Sequence, residues 1–188
     1  YKGRYSGEFG LISTFSFQAT KTITTGEGGM VITDDDHIAE RMRLFRSHGM
    51  DRSKVVYWHE LPGHNFRLTK IQAALGVAQL ESRSQIVENR KRVYNLYKER
   101  LQRIEGVQLQ KINANVDVLI WAIAVKLDTD QFVDTRDGLM TRMKKMGIET
   151  RPGFYASSVL DIYSDHKLPT CEDVSSRIIS FPSFPTLT

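Results

Sequence analysis

The sequence predicts an α/β protein in two parts, a strand–turn–strand–helix unit followed by a smaller α+β domain. Three observations carry this. Short runs rich in aromatic and β-branched residues, bounded by glycines, precede a helical pattern in the first third of the chain. A long, charged helical stretch with a single apolar stripe follows. Beyond Gly106 the pattern changes to strands interrupted by one helix.

Taken in order, the stretch from Phe9 to Phe17 carries Phe9, Leu11, Ile12, Phe15 and Phe17 and reads as one or two buried strands. Gly26-Glu27-Gly28-Gly29 punctuates the chain, and Met30 to Thr33 has strand character. Asp34-Asp35-Asp36 supplies N-cap candidates for a helix from about His37 to Arg46, ended near Gly49. After a loop containing Pro62 and Gly63, Thr69 is placed to cap a helix through Lys70, Ile71, Ala74, Leu75, Ala78 and Gln79, whose small residues point to close packing. From Arg83 to Ile104 the apolar positions Ile86, Val93, Tyr97, Leu101 and Ile104 mark one buried stripe. Val107–Leu109 and Val116–Leu127 read as strands, Phe132–Met146 as a helix and Ile148–Arg151 as a further strand. The expected division is residues 1–82, a connecting helix at 83–105, and a small domain at 106–188. No internal repeat stands out.

Composition narrows the function. With 40% hydrophobic and 26% charged residues, the chain of 188 residues should fold around a core. The net charge of +4 is spread along the chain, and its densest cluster, Arg90-Lys91-Arg92, reads as a solvated helix face. Nucleic acid is therefore not an expected partner; an anionic small molecule is. The single cysteine, Cys171, cannot form an internal disulfide, which agrees with a cytoplasmic location. No apolar run reaches the roughly 20 residues a membrane span needs, so no membrane is expected. The start at Tyr1 without a Met suggests a chain that begins inside a longer protein. No metal site is expected.

The chemically informative stretch runs from Phe15 to Gly29. A lysine that leaves a hydrophobic strand into a Thr/Gly-rich turn is open to partial desolvation, which favours its neutral, nucleophilic form and suits Schiff-base chemistry. That residue is Lys21, and Ser16, five residues earlier, can present a hydroxyl to a phosphate. The residues alone favour a hairpin with Lys21 as a surface residue at its tip and the Gly cluster forming the turn. Neither the P-loop nor the dinucleotide glycine spacing is present.

The string FSFQATKTITTGEGGMVIT (residues 15–33) resembles the cofactor-lysine segment of the DegT/DnrJ/EryC1/StrS family of sugar aminotransferases. GHNFRLTKIQAALGVAQL (63–80) resembles that family's second signature and GIETRPGFY (147–155) a third, in the same order. The resemblance implies a fold-type I pyridoxal-phosphate enzyme, with part of the large α/β domain followed by the small α+β domain. It implies that Lys21 holds pyridoxal 5'-phosphate as a Schiff base and shuttles a proton, and that Ser16 binds the cofactor phosphate. Asn65 would reach the phosphate of a cofactor held by a neighbouring subunit, making the site a property of a homodimer, and Arg67 would support that loop. By its residues alone Asn65 is a turn residue. Arg151 and Tyr155 would touch a nucleotide-sugar, while His48 and His59 have no assigned role.

The implied reaction moves an amino group from an amino acid, glutamate being the expected donor, to a nucleotide-linked keto-deoxysugar. The flanking sequence is most similar to perosamine-synthase-like members, which act at C4 of a GDP-linked sugar. A dehydratase branch with histidine at the lysine position is disfavoured by Lys21. After Tyr155 the chain has Ala156-Ser157-Ser158 where the family commonly has Pro-Leu-His. The family's pyridinium aspartate and phosphate loop would lie before Tyr1, and its last helix after Thr188. The alternative is therefore a catalytically inactive fragment that retains only the fold and a dimer surface.

Overall fold

The computed structural model describes residues 1–51, 53–132, 134–163 and 166–188. The chain divides into two compact units, Tyr1–Ser84 and Gln85–Thr188.

In the first unit, β1 (Ser13–Ser16) and β2 (Gly29–Ile32) pair antiparallel, with Ser13 opposite Ile32 and Ser16 opposite Gly29. Helix α1 (Asp36–Arg46) starts where the acidic run predicts, because the Asp35 side chain accepts from the backbone N–H of Ile38. It ends where Ser47 and Gly49 both donate to the Leu44 carbonyl, with Gly49 at φ +70°. Helix α2 (Lys70–Glu81) opens on a full capping box: Thr69 accepts from Gln72 N–H while the Gln72 side chain accepts from Thr69 N–H.

The expectation of buried strands here fails. Phe15, Met30, Val31 and Ile32 are exposed, and no apolar side chain is buried among the described residues of the first unit. The reason is geometric: a ribbon two strands wide has too little area to enclose a face. The close packing expected of α2 is likewise confined to one point, where Gly76 leaves room for Thr25, a Cβ at Gly76 lying 3.0 Å from the Thr25 methyl. Elsewhere α2 is open, with Ile71 at 85% exposure.

The second unit has the core. Helix α3 (Arg83–Leu101) begins one residue beyond α2. A four-stranded antiparallel sheet takes the order β3 (Val107–Leu109), β4 (Ile123–Leu127), β6 (Ile178–Phe181), β5 (Arg151–Pro152). Along β4, Ile123, Val125 and Leu127 alternate into the interior with the period of two that a strand imposes. Val125 and Leu127 meet Ile179, which is 0% exposed, and Leu101, Phe132, Leu139 and Met143 close over them. Of the expected α3 stripe, Val93 is buried, Tyr97 packs against Phe181 and Leu101 joins the core, whereas Ile104 is exposed.

Several boundaries differ from those expected. Helix α3 stops at Leu101, and Ile104 turns back by donating to the Leu101 carbonyl ahead of Gly106 at φ +77°. The strand expected from Val116 begins only at Ile123, because Val116 closes a turn on Asn113. The helix expected from Phe132 is α4 (Arg136–Lys145), set by the Thr135 side chain accepting from Gly138 N–H; Val133 lies outside the described residues. The strand expected at Ile148 shrinks to β5 because Gly147 and Ile148 finish α4, donating to the Lys144 and Met143 carbonyls in a Schellman closure. Helix α5 (Pro169–Arg177) and β6 were not anticipated. No helix among the described residues is long and apolar enough to cross a membrane.

Candidate active site

Strand β1 delivers Ser16 to the mouth of a long turn that β2 closes at Gly29. The turn is bonded to itself throughout. Phe17 N–H donates to Gly28 O (2.9 Å), while the Phe17 carbonyl accepts from Thr25 N–H (2.9 Å) and the Thr24 hydroxyl (3.1 Å). The Gln18 side-chain oxygen accepts from the Thr20 N–H and hydroxyl, and Gln18 O accepts Lys21 N–H at 2.9 Å. Gln18 N–H reaches the Ser16 hydroxyl at 3.4 Å, so the Ser16 side chain and the Lys21 backbone are both bonded to one residue. The Thr/Gly turn, which by its residues alone reads as a hairpin tip, is therefore a bonded scaffold with Lys21 partly buried on it.

Helix α2 holds this turn from the other end. Gln72, besides capping its own helix, donates from Nε2 to the Glu27 carbonyl at 2.9 Å. Gly28, at φ +154°, is obligatory: a Cβ there would lie 2.5 Å from the Thr25 hydroxyl and 2.9 Å from Leu68. Thr25, 4% exposed, sits beneath and donates to Glu27 O.

Asn65 lies on a second segment of the same unit, bridged antiparallel to Ser47. Arg67 Nε donates to Asn65 Oδ1 at 3.0 Å, which fixes the amide so that its Nδ2 hydrogens point away from Arg67. The loop before it is fastened by Lys54, whose ammonium meets Glu60 at 3.0 Å and Asp51 at 3.4 Å. Glu60 first and then Asp51 raise the Lys54 pKa, and the Ser53 hydroxyl and backbone N–H hold the Asp51 carboxyl below its ordinary range. His59 Nδ1 is 2.7 Å from the His48 carbonyl, which gives both histidines a place in the loop's framework.

The second unit carries Arg151 and Tyr155. Arg151, on β5, is exposed and faces Glu149 at 3.7 Å. Tyr155 is 58% exposed with the guanidinium of Arg136 at 5.9 Å from its ring. Arg136 is itself buried and anchored to Ser175 O and Asp137, both at 2.8 Å. Sequence reasoning missed Arg136 and Gln72. The Thr69-x-x-Gln72 spacing signals the capping box, but nothing local signals the Glu27 contact.

The model of the DegT/DnrJ/EryC1/StrS aminotransferase family matches residues 1–188. The chain is 39% identical over 189 residues to GDP-perosamine synthase of Escherichia coli O157:H7, covering 100% of this chain and 50% of that protein. It is 37% identical over 190 residues to GDP-perosamine synthase of Vibrio cholerae, covering 98% and 51%. Among solved structures it overlays on Helicobacter pylori PseC, an aminotransferase involved in the biosynthesis of pseudoaminic acid, with a TM-score of 0.86 and 29% identity over 100% of this chain and 52% of that one. The chain spans about half the length of the curated relatives it matches.

Aminotransferases of this family use pyridoxal 5'-phosphate. The residues present suit that group. Lys21 would offer an amine to its aldehyde and Ser16 a hydroxyl to its phosphate, while the Asn65 amide, whose oxygen accepts from Arg67, would leave an N–H donor for an anionic oxygen. The match across its whole length, and an overlay that gives the expected fold-type I class, establish that the chain belongs to the DegT/DnrJ/EryC1/StrS aminotransferase family.

Proposed function

We propose that this chain contributes the lysine-bearing part of an enzyme that transfers an amino group from an amino acid, glutamate in our reading, to the keto carbon of a nucleotide-linked deoxysugar. The observation that carries the proposal is the presentation of Lys21, on a turn bonded at Phe17, Gln18 and Thr25 and held by Gln72. The identities of 39% and 37% to GDP-perosamine synthases favour a GDP-linked sugar aminated at C4.

When bound, pyridoxal phosphate supplies an aldehyde that takes up the amino group and a ring that accepts the electron pair released at carbon. Lys21 Nζ would hold that aldehyde and, once released, would take the α-proton of the donor and keep it for return. The Ser16 hydroxyl donates to the phosphate. Asn65 donates to the phosphate of the site in a second copy of the chain, so the active assembly is a homodimer. Arg67 keeps the Asn65 amide in the donating orientation. Arg151 and Tyr155 contact the nucleotide-sugar. A cytoplasmic location belongs to the same reading, supported by the unpaired Cys171.

The open apolar surface of residues 1–84, with Ile71 and Phe15 exposed, favours a second reading for the chain taken by itself: it keeps the fold and a dimer surface without holding cofactor. Borohydride trapping with pyridoxal phosphate, followed by peptide mapping, decides. An adduct on Lys21, absent in Lys21→Ala, supports the proposal. An adduct in the full-length protein but not in this chain supports the second reading, and no adduct on Lys21 in either overturns the assignment of the lysine.

A further inference from the structure

The segment that carries Asn65 is held by a contact between two glycine backbones. A Cβ at Gly49 would lie 1.7 Å from the Leu61 carbonyl oxygen, and one at Gly63 would lie 2.1 Å from Gly49 N and 2.6 Å from the His48 carbonyl carbon. All of these are backbone atoms, which cannot swing aside as the end of a side chain can. Hydrogen bonds surround the contact: His48 N–H donates to His64 O at 2.9 Å and Glu60 N–H to Gly49 O at 2.8 Å. Immediately beyond it, the residues flanking Asn65 are bonded to the end of α1, His64 N–H to Phe45 O at 2.8 Å and Phe66 N–H to Arg46 O at 3.0 Å. The place of Asn65 follows from the backbone register that this contact permits.

We infer that Gly49 and Gly63 are positioning residues for Asn65, their backbone contact fixing the point from which its amide reaches a phosphate oxygen. This rests on the reading of Asn65 given above. A methyl group on Gly63, 2.1 Å from Gly49 N, needs a displacement of roughly 1.5 Å to restore an ordinary contact, and the displaced segment is the one that leads to Asn65.

The test compares pyridoxal phosphate with pyridoxal, which lacks the phosphate, as ligands of the full-length protein carrying Gly63→Ala, Asn65→Ala or both. Each single variant is expected to weaken pyridoxal phosphate by about tenfold, the loss of one hydrogen bond to a charged group, while pyridoxal changes by less than about twofold. The double variant is expected to bind no more weakly than Asn65→Ala, because both act through one group. Equal loss of both ligands in Gly63→Ala, or full additivity, overturns the inference. If Asn65→Ala fails to separate the two ligands, the inference falls together with the reading of Asn65, and that outcome is distinguishable from failure of the glycine contact alone. Should Gly63→Ala not fold, Pro62→Gly loosens the same turn without adding an atom. A smaller loss confined to pyridoxal phosphate supports the inference, and no ligand selectivity overturns it.

Discussion

Arg90, on α3, donates from one guanidinium nitrogen to the carbonyl of Ser183, 93 positions further along the chain, at 3.3 Å. The same nitrogen reaches the Trp121 carbonyl at 3.2 Å, so one side chain, 7% exposed, ties the approach to β4 and the exit from β6 to a single helix. Burial lowers its pKa from the ordinary value, yet an arginine remains charged at any working pH.

Arg90→Met keeps the length of the side chain and removes both donors. Two part-buried carbonyls then lose a charged partner, and the second unit is expected to lose about 2 kcal/mol of stability. Urea unfolding checks this: the midpoint should fall with the slope unchanged. Arg92→Met, whose exposed guanidinium bonds Leu187 O, should shift it much less.

Glu172 joins two neighbours that the chain leaves apart. Its carboxylate accepts from the Ser158 hydroxyl at 2.7 Å and from Leu168 N–H at 2.9 Å, tying the turn at Ser157–Val159 to the start of α5. These bonds, Ser158 first, hold its pKa below the ordinary 4.5. A depressed carboxylate contributes stability that is complete above its unfolded pKa and is lost as pH falls through the folded value. Acid titration of the urea midpoint should therefore show a decline below the ordinary carboxylate pKa that Glu172→Gln reduces, with the variant less stable at neutral pH.

Mutational sensitivity should follow the core and not apolarity. Ile179→Ala removes a side chain that is fully enclosed and is expected to cost about 2–5 kcal/mol. Ile71→Ala, at 85% exposure, should change the stability of this chain by less than about 0.5 kcal/mol. Thermal or urea unfolding of both variants separates these expectations.

Gln72 tests the link from α2 to the lysine turn. Gln72→Met removes its Nε2 bond to Glu27 O together with half of the capping box. Pyridoxal phosphate binding by the full-length protein should weaken by about fivefold, the value of one neutral hydrogen bond. Thr69→Ala, which disrupts the cap but leaves Gln72 able to reach Glu27, should lower helix stability by about 1 kcal/mol with a smaller effect on binding.

Local structure was legible in the sequence where the physics is local. Asp35, Thr69 and Thr135 each cap a helix within three residues of themselves, so the starts of α1 and α2 could be read directly. The Thr/Gly run around Lys21 marked a turn, but not its rigidity, which comes from Phe17 bonding across to Thr25 and Gly28. Helix α5 and β6 escaped because no turn residue separates Arg177 from Ile178. Arg90 read as part of a solvated charged face, because nothing in Arg90-Lys91-Arg92 tells which of the three turns inward.

By itself the sequence determined the starts of α1 and α2, the turn around Lys21, and the order of the three family-like segments. These depend on interactions spanning a few residues, where caps, glycines and periodicity decide. The tertiary structure alone decided that β6 is a central strand, that Arg90 is enclosed, and that the backbones of Gly49 and Gly63 meet. Each of those depends on backbone or side-chain groups far apart in the chain meeting within a few ångströms, and short-range sequence pattern carries no record of such meetings.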